Sequence, residues 1–136
     1  CSWVYWRSNG ANIPIISKRS AYKIDATVEN YLRFTTLDVK DYITTFIPSF
    51  NQWYYICVVL DSSNDANFYI DGVFYQKVTH TSPANVSNYN LLIAANAEEA
   101  TYFNGLIDEV RVYNRALSAD EVTDLYQAGA GRMRLK

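Results

Sequence analysis

The densest run of oxygen-bearing side chains is Asp61-Ser62-Ser63-Asn64-Asp65-Ala66-Asn67. Oxygens at alternating positions suit a hard cation, and Ca²⁺ takes about six to eight of them. Asp61, Asp65 and Asn67 are therefore candidate metal ligands, with Ca²⁺ the candidate cofactor. The run lacks the Gly and the distal bidentate Glu of an EF-hand loop, and Asp, Asn and Ser also build ordinary turns. Glu98 and Glu99 are further acidic candidates. A second chemistry is sugar recognition, which needs flat exposed aromatics beside planar polar groups. Tyr42, Tyr89 and Tyr102 fall in predicted loops or at strand ends, near Asn88, Asn90, Asn96 and Asn104. Tyr42, Tyr89, Tyr102, Asn88, Asn96 and Asn104 form the candidate ligand-binding set.

Catalysis finds less support. Two carboxylates that share one glycosidic bond must project from the same face. Asp108 and Glu109 are adjacent, and adjacent strand residues face opposite ways. The one histidine, His80, lies in a predicted loop with no evident orienting acid. The chain is expected not to be an enzyme. Asp108 stands out for another reason: Leu106, Val110 and Val112 share one face at a period of two, and Asp108 interrupts that face. A carboxylate aimed at the core needs donors. The expectation is a structural buried acid that accepts backbone N–H groups or a Tyr or Arg donor; a cation or ligand contact is the alternative.

The elements that must position these residues are mostly strands. Alternation predicts them over 1–7, 13–18 (interrupted by Pro14), 22–25, 31–37, 43–46, 67–70, 73–78 and 91–95. In the run 31–37, Tyr31, Arg33 and Thr35 face one way and Leu32, Phe34 and Thr36 the other. Trp53 to Leu60 is apolar at nearly every position, as a central strand buried on both faces would be. Asp71-Gly72 between two strands predicts a type I′ hairpin, which needs positive φ at both residues. Residues 80–90 read as a polar loop. A helix is predicted over 118–128: Ser118 and Glu121 form a capping box, Leu117 and Val122 a hydrophobic staple, and Gly129 is placed as a left-handed C-terminal cap. Residues 130–136 then form a basic, solvated tail with Arg132, Arg134 and Lys136.

The 136 residues suit one domain, spanning 1–129, with a single core. A net charge of −2 provides no basic field for nucleic acid or an anionic membrane. No apolar run reaches the ~20 residues of a membrane span, and no signal peptide is visible. The chain opens at Cys1 inside a strand-like segment, so either a removed leader or a longer parent product is expected. Aromatics are 15% of the chain, which suits both strand packing and ligand stacking. Cys57 reads as a small buried hydrophobe, and whether it pairs with Cys1 stays open.

Phe103 to Ser118, with its Asn-Gly turn, Ile-Asp-Glu-Val strand and Tyr-Asn-Arg-Ala-Leu-Ser segment, resembles the closing motif of laminin G-like, concanavalin A-like jelly-roll domains. The Trp-rich first segment, the Trp53 run ending at Asp61, and Tyr-Ile-Asp-Gly-Val at 69–73 are similar to other strands of that family. The resemblance implies an all-β, two-sheet antiparallel jelly-roll sandwich with one short C-terminal helix. It also implies that strands which normally precede the first segment are missing. A second copy or an upstream segment is expected to cover the sheet edge so exposed. Many relatives hold Ca²⁺ at a sandwich rim. The function implied is non-catalytic recognition in a secreted or cell-surface setting, either of a glycan through rim loops or of a protein partner.

Overall fold

Strand alternation sorts side chains between two environments, and in this chain both environments are buried for half of the strands. A computed structural model describes residues 1–8, 14–80, 85–96 and 101–133. Its strands are β1 (Ser2–Trp6), β2 (Ile16–Lys18), β3 (Tyr22–Ala26), β4 (Leu32–Thr36), β5 (Lys40–Ile43), β6 (Trp53–Leu60), β7 (Ala66–Ile70), β8 (Val73–Val78), β9 (Leu91–Ile93), β10 (Ala95–Asn96), β11 (Thr101–Tyr102) and β12 (Gly105–Asp108). One helix, α1 (Ala119–Met133), follows. The strands form two five-stranded antiparallel sheets, ordered β12-β1-β6-β7-β8 and β5-β4-β3-β2-β9, and β10 pairs with β11 as a small hairpin. Glu98 and Glu99 lie outside the described residues, as do Arg134 and Lys136.

The main core lies between the sheets. Val4, Trp6, Ile56 and Phe68 from the first sheet meet Leu32, Phe34 and Tyr42 from the second. The opposite face of the first sheet is buried too, because Trp3, Tyr55, Cys57 and Val59 pack under Leu117, Val122, Leu125 and Tyr126 of the helical segment. This explains the unbroken apolar run of β6: its even-numbered residues fill the sandwich and its odd-numbered ones the helix interface.

Local chemistry fixes the helix in place. Ser118 N donates to Glu121 Oε2 at 2.8 Å and Glu121 N donates to Ser118 Oγ at 3.2 Å, a reciprocal capping box. The staple residues Leu117 and Val122 are both buried. The hairpin turn forms with φ of 51° at Asp71 and 79° at Gly72. Thr123 Oγ1 donates to Gly72 O at 2.9 Å, clipping α1 to that turn. Asp71 exchanges two bonds with Tyr55, its carboxylate accepting the Tyr55 N–H and its own N–H reaching the Tyr55 carbonyl, each at 2.8 Å.

Several expectations change. The helix does not stop at residue 128: it runs through Gly129 and Gly131 to Met133. Gly129 is a point of close approach, where any Cβ would collide with the Trp3 indole nitrogen. Arg132 belongs to this helix rather than to a solvated tail, and it pairs with Glu109. Strand β5 begins at Lys40, three residues before the predicted 43–46 segment, because register with β4 sets Phe34 opposite Tyr42. Leu106 and Val112 are exposed, and Ile107 is the β12 residue packed on the core. Cys57 is buried as expected but is bonded to Cys1, pinning the start of β1 to β6.

Two outcomes follow. Gly129→Ala should lower stability by about 1–3 kcal/mol, as overpacking does, seen as a reduced denaturation midpoint; an unchanged midpoint would mean that Trp3 yields freely. Glu121 is held down to about 2 by Arg115, with help from the Ser118 N–H. Its folded pKa is depressed, so the capping contribution is present above its ordinary pKa of 4.5 and is lost as pH falls toward about 2. Far-ultraviolet dichroism should show helix loss through that window, and Glu121→Gln should flatten the Glu121-dependent part of it.

Candidate functional site

The Asp61–Asn67 run bridges β6 and β7, and the structure shows where each of its oxygens points. Asp61 Oδ1 accepts the backbone N–H groups of Ser63 at 2.9 Å and Asp65 at 3.1 Å. Its Oδ2 accepts the Asn67 side-chain amide at 3.1 Å and faces Lys77 Nζ at 3.3 Å. Asp65 Oδ2 lies 2.7 Å from the same ammonium, and its Oδ1 accepts the His80 N–H at 2.9 Å. Hydrogen bonding to Lys77 is the leading cause that holds Asp65 below the usual carboxylate range. Asp61 is also held low, by the Asn67 amide and backbone N–H groups against the opposing effect of desolvation.

These residues do not fit Ca²⁺ as the sequence suggested. All four carboxylate oxygens already face protein donors, Asn67 offers its nitrogen rather than its oxygen, and a lysine ammonium occupies the cation position. Among the described residues no group of three or more His, Cys, Asp or Glu side chains could hold a metal ion. Lysine pairing at this site is out of reach of local sequence, because Lys77 comes from β8 and meets Asn67 only through the β7–β8 register.

The aromatic and amide candidates separate. Tyr42 is fully buried on the inner face of β5, stacked with Phe34 and donating its hydroxyl to Asn64 O at 3.1 Å. Asn96 is buried in β10. Neither offers a surface to a ligand, since alternation turned both inward. Tyr89 and Tyr102 are 52% and 73% exposed and flank β9, the edge strand of the second sheet. Tyr89 precedes β9, and the Arg19 guanidinium sits over its ring at 4.9 Å. Ser87 Oγ ties this loop down by donating to Arg19 O at 2.6 Å. Tyr102 lies beyond the other end of β9, opposite Ala95 in the β10–β11 hairpin. Asn88 is exposed beside Tyr89, and Asn104, also exposed, donates to Ser8 Oγ at 2.8 Å.

Asp108 is half-buried rather than buried, and its Oδ1 accepts the Glu109 N–H at 2.7 Å. Glu109, with φ of 49°, turns its carboxylate to Arg111 and Arg132. Among the described residues the fully buried acid is Asp25, on the outer face of the second sheet. Arg33, directly opposite in register, donates Nε and Nη2 to its two oxygens at 2.8 and 2.7 Å, and Lys23 Nζ lies 3.1 Å away. Arg33 also reaches Asp41, which accepts the Thr35 hydroxyl at 2.7 Å. The sequence places Arg33 and Thr35 on one face, yet only the strand register brings Asp25 and Asp41 to them.

Lys77→Met should expose the repulsion between Asp61 and Asp65. Both carboxyls are depressed in the folded protein, so the stabilisation from Lys77 is present near neutrality and fades as pH falls through their folded pKa values. Thermal melts of the two proteins should differ at pH 7 and converge in acid; equal melts at pH 7 would show the ammonium to be dispensable.

The fold has known counterparts. A model of the concanavalin A-like lectin/glucanase superfamily, of laminin G type, matches residues 1–123. Botulinum neurotoxin type G from Clostridium botulinum is 29% identical over 115 residues, 83% of this chain and 9% of the toxin. A Bacteroides ovatus protein described as carbohydrate-binding aligns with a TM-score of 0.78 at 16% identity, covering 90% of this chain and 38% of that one. Domain 4 of an extracellular arabinanase from Geobacillus stearothermophilus, solved with arabinotriose, aligns with a TM-score of 0.71 at 24% identity, covering 93% and 64%. The chain thus spans a small part of the toxin it matches and less than half of the first of these structures. With two antiparallel sheets, a helix closing one outer face and a family match over 1–123, the chain belongs to the concanavalin A-like lectin/glucanase superfamily, in its laminin G-like group.

Proposed function

We infer that the chain is a non-catalytic recognition module that binds carbohydrate along the β9 edge of its second sheet. The observation that carries this reading is the exposure of Tyr89 and Tyr102 at the two ends of β9, each beside exposed amides. Sugar C–H faces stack on such rings while amides and the Arg19 guanidinium meet hydroxyls. Arg19 covers one face of Tyr89, whose side chain remains half exposed. Two rings separated by a strand suit an oligosaccharide better than a single sugar. The descriptions of two structural neighbours, one as carbohydrate-binding and one holding arabinotriose, support the same ligand class. The Cys1–Cys57 bridge supports a secreted or cell-surface setting, since disulfides persist in oxidising compartments. No described helix is long and apolar enough to cross a membrane.

A protein partner is the second reading, favoured by Val73, Phe74 and Tyr75, which are exposed on β8 at the far edge of the first sheet. Screening against immobilised glycans, with and without chelator, separates the two. Tyr89→Ala and Tyr102→Ala should each weaken retention about tenfold, or about 1.4 kcal/mol, with unchanged melting. Retention of no glycan by the parent protein would remove the carbohydrate reading and leave the β8 surface.

A further inference from the structure

The helix covers only part of the outer face of the first sheet. Strand alternation sends Val4, Trp6, Tyr54 and Ile107 into the sandwich, so Tyr5, Trp53 and Leu106 turn outward. Register sets these three in one row across β12, β1 and β6, with Leu106 opposite Tyr5 and Tyr5 opposite Trp53. The outward row on the Cys1 side holds Trp3 and Tyr55, which the helical segment buries. In the row beyond, Leu106 is exposed and Tyr5 and Trp53 are half-buried. Trp53 leans on the helix-covered cluster, which fixes its ring from one side. The Tyr5 and Trp53 rings lie 5.5 Å apart at 57°, forming a shallow notch rather than a flat plate. With strands about 4.8 Å apart, the row spans about 10 Å.

A free cation stands at the end of this row. The Arg7 N–H donates to Asn104 O at 3.1 Å and so carries the β1–β12 ladder one residue further. Alternation keeps Arg7 on the Tyr5 face, about 7 Å along the strand. Its side chain is exposed and, among the described residues, has neither an ion-pair nor a hydrogen-bond partner. Arg33, Arg111, Arg115 and Arg132 each face a carboxylate. Residues 8–14, which follow Arg7, include no acid. Asn51 and Gln52, just before Trp53, and Asn104 are exposed at the same end. Aromatic rings beside amides suit the C–H faces and hydroxyls of a sugar, and an unpaired guanidinium matches a carboxylate in charge and in fork geometry. A purely apolar ligand would strip water from Arg7 and return nothing to it. We propose that the row Leu106–Tyr5–Trp53 is a second binding site, on the opposite sheet from β9, for a saccharide bearing a carboxylate: the rings of Tyr5 and Trp53 stack on the sugar and Arg7 pairs with its acid group. The site does not rest on the β9 edge, and either can fail without the other.

Tryptophan fluorescence reads this site selectively, because Trp3 and Trp6 are buried and Trp53 is the indole a ligand can reach. Trigalacturonate and sialyllactose are titrated against two neutral saccharides, the methyl ester of the first and lactose. At least one acidic saccharide should shift the emission saturably, and its neutral counterpart should bind about tenfold more weakly or worse. Added salt should narrow that difference. Arg7→Gln, at an exposed side chain, should remove the preference for the acid form without changing the melt, and Tyr5→Ala should abolish the shift with both forms. No shift with either acidic saccharide would overturn the proposal, as would an Arg7→Gln protein that still prefers the acid form. Tighter binding of an acidic hexapeptide than of either saccharide would overturn it too, by making a polypeptide the occupant. Calorimetric binding of the same saccharides with silent fluorescence, lost in Tyr89→Ala, would overturn it in favour of the β9 edge.

Discussion

Burial of both faces of β6 is the constraint on which the rest of the molecule depends. One face meets the second sheet and the other meets α1, so each side chain of the strand has a defined neighbour and each loses water. A fully buried large apolar side chain contributes about 1.5–3 kcal/mol, which makes this strand the densest source of stability in the fold. The helix is correspondingly committed: the capping box sets where it starts, the Thr123–Gly72 bond sets its height over the sheet, and Gly129 sets how closely its last turns approach Trp3.

The second sheet is organised differently. Its inner face is apolar, whereas its outer face carries a charge network centred on a carboxylate with no exposure. Burying Asp25 is tolerable because Arg33 satisfies both oxygens with the fork geometry that suits a carboxylate, and Lys23 adds a second cation. This network ties β3, β4 and β5 together across the outer face of the sheet. At its β9 edge Tyr89 and Tyr102 are exposed, the first on a loop anchored by Ser87 and the second on the β10–β11 hairpin.

The same division explains why acidic clusters here are poor guides to chemistry. Asp61 and Asp65 collect backbone N–H groups and a lysine, Glu109 collects two arginines, and Asp25 an arginine and a lysine. Each carboxylate is spent on holding strands or the helix together.

What the sequence by itself determined is whatever depends on neighbours a few residues away. The period of two revealed most of the strands and the inner face of β4, the apolar run marked β6 as doubly buried, Asp71-Gly72 specified its turn, and Ser118 with Glu121 specified the helix start. The family was legible for the same reason, since its motifs are local. Tertiary structure alone decided which face of β5 hides Tyr42, that Lys77 fills the place assigned to Ca²⁺, that Asp25 rather than Asp108 is the buried acid, and that Gly129 continues the helix. Each of these rests on strand register or on a contact between distant segments. Periodicity says that a side chain faces a neighbour but not which neighbour, and the partner decides whether a carboxylate is a ligand, a lysine's counter-ion or a structural brace.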